Sequence, residues 1–215
     1  MNPAQRLHAL GQSLWLDNIT RTMVADGTLA RYIDTIAVTG LTSNPTIFEQ
    51  AIAKGSAYDA AIKAKAATGM AHEALFFDLA IEDLSAAAKL FLPEFERTKG
   101  VDGWVSLEVS PLLADDTAGT VKAAIELHAK AGQPNLYIKI PGTPAGLQAI
   151  EDSIAAGVPV NITLLFSADQ YAAAAEAWLR GVERRLAAGL AGNVSSVASV
   201  FVSRWAGAVK DALPA

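Results

Sequence analysis

The chain contains no cysteine, which excludes a disulfide framework and any thiolate metal site. No run of about 18 apolar residues occurs, so no membrane-spanning helix is expected. The N-terminus, MNPAQRLHALGQSLWLD, lacks an apolar core followed by a small-residue cleavage site, so it does not read as a secretory signal. A cytoplasmic protein is expected, in which the NIT sequons at Asn18 and Asn161 carry no glycosylation meaning. Neither a P-loop nor a Gly-x-Gly-x-x-Gly stretch is present, so nucleotide binding has no support. Positive charge is not in excess: 17 Lys and Arg stand against 22 Asp and Glu, a net charge of −5. Scattered cations on a mildly acidic chain argue against a nucleic-acid partner. Histidine is scarce, and His8, His72 and His128 show no metal-ligand spacing. They read as surface or capping residues, and no metal is expected.

What is present is apolar bulk. Of 215 residues, 52% are hydrophobic and 18% charged, enough for a substantial core; the length fits one large domain or two small ones, and a single domain spanning 1–215 is expected. Much of that content is alanine, as in DQYAAAAEAWL and EDLSAAAKL, and alanine favours helix. Six strand-like runs alternate with helical stretches: 14–17, 36–44, 103–110, 135–141, 158–166 and 195–205. A long helical region covers about 46–95, with breaks expected near AKGSA, ATGM and Pro93. Such alternation predicts a parallel sheet covered by helices. SNPT, PGTP and FSADQ supply Asn, Thr and Ser helix starts, and GQPN and AAGVP supply glycine stops.

Parity within the runs separates an open sheet from a closed one. Leu136, Ile138 and Ile140 alternate with Tyr137 and Lys139. Leu14 and Leu16 alternate with Asp17, and Leu107 and Val109 with Ser106, Glu108 and Ser110. Val160, Ile162 and Leu164 alternate with Asn161 and Thr163, while Thr42 and Asn44 share a parity at the end of the second run. Strands covered on both faces read as continuous apolar runs. A polar face gathered late in several strands fits the interior of a (β/α) barrel, whose sites lie at the C-terminal strand ends. Each residue also has a plain reading. A lone strand lysine is commonly solvent-facing, Asp17 could cap a helix near Thr20, Asn44 before Pro45 is a turn residue, Glu108 could be a surface residue of a half-exposed strand, and Asn161 and Thr163 could be ordinary strand polars. Five runs with matching parity favour the barrel interior. By contrast, ADDT at 114–117 reads as a helix start rather than a metal pair, and Arg180, Arg184 and Arg185 as a solvated helix face.

A lysine inside a barrel suits Schiff-base chemistry. A free lysine titrates near 10.4, and burial favours the neutral amine that attacks carbonyls. The resulting iminium is an electron sink for cleavage of a neighbouring carbon–carbon bond. A carboxylate, Asp17 or Glu108, would move the proton, and Arg204 suits a phosphate.

WLDNITR, GLTSNPTIF, VSLEVSPLLADDT, NLYIKIPGTPAGLQAI, VNITLLFS and VFVSRW resemble the successive motifs of the transaldolase family, in the bacterial form with SNPTIF and IKIPGT. The resemblance spans nearly the whole chain. It implies a (β/α)8 TIM-barrel fold and transfer of a dihydroxyacetone unit in the pentose phosphate pathway. The donor would be sedoheptulose 7-phosphate or fructose 6-phosphate, and the acceptor glyceraldehyde 3-phosphate or erythrose 4-phosphate. No metal or organic cofactor is implied. Carried over by motif, Lys139 would form the Schiff base, Asp17 would be the general acid/base, and Glu108 with Thr163 would orient the catalytic water. Asn44 and Asn161, with Thr42 beside them, would bind the dihydroxyacetone unit, and Ser199 and Arg204 would serve the far end, Arg204 on the phosphate. Only about six of the eight units are visible, so the C-terminal part of the barrel is expected to be lacking. Such a sheet is expected to close against a second copy or a complementing C-terminal fragment. The competing readings are a non-catalytic truncated barrel that self-associates and a simple class I aldolase.

Overall fold

The computed structural model describes residues 1–210. They form two compact units, Met1–Glu108 with Leu127–Tyr137, and Val109–Glu126 with Ile138 onward. Both are built from parallel strands separated by helices, six strand–helix units of the (β/α)8 barrel type. Residues 211–215, the end of the helix expected after the sixth strand, lie outside the described residues. Among the described residues, no helix is long and apolar enough to cross a membrane.

In the first unit, α1 (Pro3–Ala9) precedes β1 (Leu14–Asp17). Then come α2 (Arg21–Ala25), α3 (Thr28–Ile36), β2 (Val38–Thr42), α4 (Pro45–Ala53), α5 (Asp59–Ala66), α6 (His72–Arg97) and β3 (Trp104–Glu108). β1 pairs with β2 and β2 with β3, all parallel. Asp17 lies opposite Thr42, and Thr42 opposite Ser106, so these three share a face. One layer earlier on that face, Trp15 lies opposite Gly40 and Gly40 opposite Trp104. Tyr137 stacks on Trp104 with centroids 3.9 Å apart and on Trp15 at 6.3 Å. The polar row thus rests on an aromatic floor, while Leu41, Val105 and Leu107 are buried on the strands with Leu79, Leu84 and Phe91 of α6. Gly40 makes the floor possible, since a Cβ there would sit 2.5 Å from the Trp15 indole.

The second unit holds most of α7 (Thr117–Ala131) and most of β4 (Leu136–Pro141). It continues through α8 (Pro144–Ala156), β5 (Val160–Leu165), α9 (Ala168–Ala187), β6 (Ser196–Val200) and α10 (Ser203–Val209). β4 pairs with β5 and β5 with β6, again parallel. Helices start where the sequence places their caps. Asn44 Oδ1 accepts from Ile47 N–H, Thr143 Oγ1 from Gly146 N–H, and Ser167 Oγ from Gln170 N–H, all at 3.0–3.2 Å. Each satisfies a backbone donor that the first helical turn leaves unpaired. Gly146 must stay bare, because a Cβ would meet the Pro141 carbonyl at 1.9 Å. Asp116 Oδ1 accepts from Gly119 N–H, so ADDT is a helix start.

Three expectations are corrected. α6 runs through Pro93 to Arg97 without the expected break; a proline ring excludes one backbone hydrogen bond but does not outweigh a helix face buried from Leu79 to Phe91. The sixth run is two elements, since β6 ends at Val200 and α10 begins at Ser203. The arginines of α9 are not merely solvated: Arg180 and Arg184 donate to Glu151 of α8 at 2.7 and 3.0 Å.

Two outcomes follow from this packing. Gly40→Val should lower stability to urea by about 1–3 kcal/mol, the range for overpacking, and adding Trp15→Leu should restore part of the loss. The Glu151 carboxyl is held below its ordinary value, first by the Arg180 hydrogen bond. A lowered folded-state value gives stability that is present above the unfolded value and lost as the pH falls through the folded one. Glu151→Gln should therefore flatten the fall of stability below about pH 4.5, measured by urea titration at a series of acid pH values.

Candidate active site

Each unit carries a set of polar side chains late in its strands. In the first, Asp17 ends β1 and is exposed, whereas the expectation was an enclosed carboxylate. Thr42, half-buried at the end of β2, has its Oγ1 shielded from solvent with no hydrogen-bond partner among the described residues. Asn44 follows as the cap of α4. Glu108 ends β3 half-buried, on the Ser106 face. Asp17 caps nothing, because Thr20 Oγ1 takes the Met23 N–H as cap of α2.

In the second unit, Lys139 stands in mid-β4 and is only 6% exposed. It lies opposite Asn161, and Pro141 lies opposite Thr163, so Lys139, Asn161 and Thr163 share a face. Asn161 and Thr163 are both 1% exposed. Ser199 of β6 donates its hydroxyl to Asn161 Oδ1 at 2.9 Å, turning the carboxamide nitrogen away from β6. Thr163 Oγ1 is buried with no hydrogen-bond partner among the described residues. A lysine amine, a carboxamide and a hydroxyl are therefore gathered on one sheet face, a set suited to holding a polyhydroxylated carbonyl compound.

β5 departs from the expected alternation. Leu164, expected on the aliphatic face with Val160 and Ile162, has φ +59° and a 43% exposed side chain. The register shifts there, and Leu165 lies opposite Val200 and is fully buried. This bulge leaves Thr163 beside Asn161 and sends the next leucine to the helix side. Arg204 is also displaced from the expected strand: it is an exposed residue in the first turn of α10, its guanidinium 5.5 Å from the Phe201 ring centre.

Sequence reasoning missed the brace behind Asp17. Arg21 N–H donates to the Tyr58 hydroxyl at 3.0 Å, and that hydroxyl donates to Asp83 at 2.7 Å. Arg21 Nε donates to the other Asp83 oxygen at 2.8 Å, and its guanidinium lies over the Tyr58 ring. Burial pushes both the Tyr58 hydroxyl and the Asp83 carboxyl up, the Arg21 charge opposing it at each. The one available signal was an aspartate inside the apolar stretch AIEDLSAAA. The brace fixes the start of α2 four residues beyond Asp17. A cavity of about 540 Å³ opens beside it, lined by Asn18, Thr20, Ile47, Lys54, Ser56 and Tyr58 among others.

The alternation of parallel strands and helices, with polar side chains gathered at the late strand positions, defines a protein of the (β/α)-barrel class. A family model described as "Transaldolase/Fructose-6-phosphate aldolase" matches residues 14–215. The chain is 42% identical over 204 residues to a transaldolase of Trichodesmium erythraeum, covering 94% of this chain and 54% of that one. It is 44% identical over 199 residues to a transaldolase of Mycobacterium tuberculosis, covering 92% and 53%. A protein named "Transaldolase 2" from Nostoc punctiforme is 44% identical over 195 residues, 90% of this chain and 51% of its own. The chain belongs to the transaldolase/fructose-6-phosphate aldolase family. It spans about half the length of the curated relatives it matches.

The unpartnered Thr163 hydroxyl has a measurable consequence. Burying a hydroxyl without a partner costs about 1–3 kcal/mol. Thr163→Val should therefore leave stability to urea unchanged or raise it by about 1 kcal/mol; a loss of 2 kcal/mol or more would show that the hydroxyl is bonded in solution.

Proposed function

We propose that this chain carries the lysine chemistry of a transaldolase acting on sugar phosphates. The observation that carries the reading is Lys139, buried on β4 directly opposite Asn161. In this reading the Lys139 amine adds to the ketose carbonyl and water leaves, giving an iminium. A carboxylate, Asp17, takes the proton from the hydroxyl two carbons away. The intervening carbon–carbon bond breaks, its electron pair enters the iminium to give an enamine, and the aldose phosphate departs. The enamine then adds to an acceptor aldehyde, Asp17 returns the proton, and a water oriented by Glu108 and Thr163 releases the product ketose from Lys139. Asn44, Asn161 and Thr42 hold the hydroxyls of the three-carbon unit. Ser199 and Arg204 serve the far end, with Arg204 on the phosphate.

Support comes from the family, from the shared face of Lys139, Asn161 and Thr163, and from Asn44. Asn44 uses its carboxamide oxygen as a cap, and its NH2 points its donors elsewhere. We read all 215 residues as one barrel domain working in the cytoplasm. The family description also covers aldolases, so a simple aldol cleavage at the same lysine is the second reading.

Incubation with fructose 6-phosphate followed by borohydride should add a reduced three-carbon or six-carbon unit to the peptide carrying Lys139, detected by mass spectrometry. Lys139→Ala should remove the adduct. A folded sample without an adduct would sink the reading. Adding erythrose 4-phosphate as acceptor should yield sedoheptulose 7-phosphate; release of free dihydroxyacetone would instead select the simple aldolase.

A further inference from the structure

His8 of α1, Glu94 of α6 and Asp102, two residues before β3, lie far apart in sequence and together in space. One ligand atom from each, an imidazole nitrogen and two carboxylate oxygens, falls within 4.8 Å of the others. Asp102 is only 5% exposed. Its backbone is tied to Thr98 on both sides, but its carboxylate makes no hydrogen bond to any described residue. His8 Nδ1 is likewise shut off from solvent and without a partner among the described residues. A buried aspartate whose carboxylate has no hydrogen bond among the described residues, and a buried ring nitrogen left unsatisfied, stand beside a third ligand, an arrangement that folding alone disfavours.

We propose that His8, Glu94 and Asp102 bind one divalent transition-metal ion, zinc being the best match to one imidazole and two carboxylates. Bonds of about 2.0–2.2 Å in a tetrahedral site bring ligand atoms to about 3.4 Å of one another. The cluster must therefore contract by up to about 1.4 Å from its 4.8 Å spread, and a water would complete the fourth position. Two carboxylates balance the charge of the ion, which relieves the cost of burying Asp102. Arg97 is the competitor, donating through two nitrogens to Glu94. Its side chain is 63% exposed, so that ion pair is weakly held and can open to solvent. The ion would pin α1 and the end of α6 to the segment entering β3, at the opposite end of β3 from Glu108. Its role is structural and independent of the sugar-phosphate reading.

The test is a titration of the full chain, stripped with chelator, with Co²⁺ as a visible-spectrum probe and Zn²⁺ as competitor. One equivalent per chain should develop ligand-field bands, and Zn²⁺ should displace them. His8→Ala and Asp102→Asn should each weaken binding at least 100-fold, since even outer partners of metal ligands are worth 10–100-fold. Zn²⁺ should raise the thermal midpoint of the parent chain and not of these variants. Arg97→Ala leaves every ligand in place and should tighten binding by freeing Glu94, a readout that survives should a ligand variant fail to fold. A folded chain that takes up no stoichiometric Co²⁺, binding indifferent to His8 and Asp102, or binding unchanged in Arg97→Ala would each overturn the proposal.

Discussion

The register of the parallel strands is the constraint on which the rest of this structure depends. Strand side chains alternate strictly, so a slip by one residue would turn Lys139 towards the helices and Ile138 or Ile140 into its place. Sequence alternation alone permits either face. What selects one is the aromatic layer of Trp15, Trp104 and Tyr137, which fits only where Gly40 leaves space. Tyr137 and Lys139 share a parity on β4, so the register that places the ring also fixes which face of that strand carries the lysine. Burial of the aliphatic rows contributes most of the stability; the floor supplies the choice of register.

The same local chemistry that ends each strand also begins the next helix, and this ties the candidate site to folding. Asn44 and Thr143 come two residues after β2 and β4, and Ser167 two residues after β5, and each caps a helix. Asn44 is therefore both a candidate ligand for substrate and a cap of a kind typically worth about 1 kcal/mol. A substitution there mixes lost binding with lost helix stability. Lys139, Asn161 and Thr163 lie within strands and cap no helix, so substitutions there do not mix lost binding with a lost cap.

Much of this was legible in the sequence because the signals are local. Strand parity, helix caps and glycine stops are encoded within a few residues, and they put Asp17, Thr42, Lys139, Asn161 and Thr163 on strands with the observed pairing. What escaped depends on distant partners. The Leu164 bulge is fixed by pairing with Val200 and by burial of Leu165, and a run of aliphatic residues gives no hint of φ +59°. The Tyr58–Arg21–Asp83 brace joins residues up to 62 positions apart. His8, Glu94 and Asp102 have no ligand spacing to detect. The end of β6 was misread because VFVSRW is apolar enough to look like strand throughout.

The polar row itself shows why a stability argument cannot account for this sequence. Thr42 and Thr163 each bury a hydroxyl that no described residue satisfies, and a valine of nearly the same shape would remove that cost. Beside Thr163, β4 buries the ionisable Lys139 opposite Asn161. Thr42 shares its face with Asp17 and Ser106 in one unit, and Thr163 shares its face with Lys139 and Asn161 in the other. A buried hydroxyl that the fold would be better without, standing beside a buried lysine, is a candidate for a residue kept for chemistry.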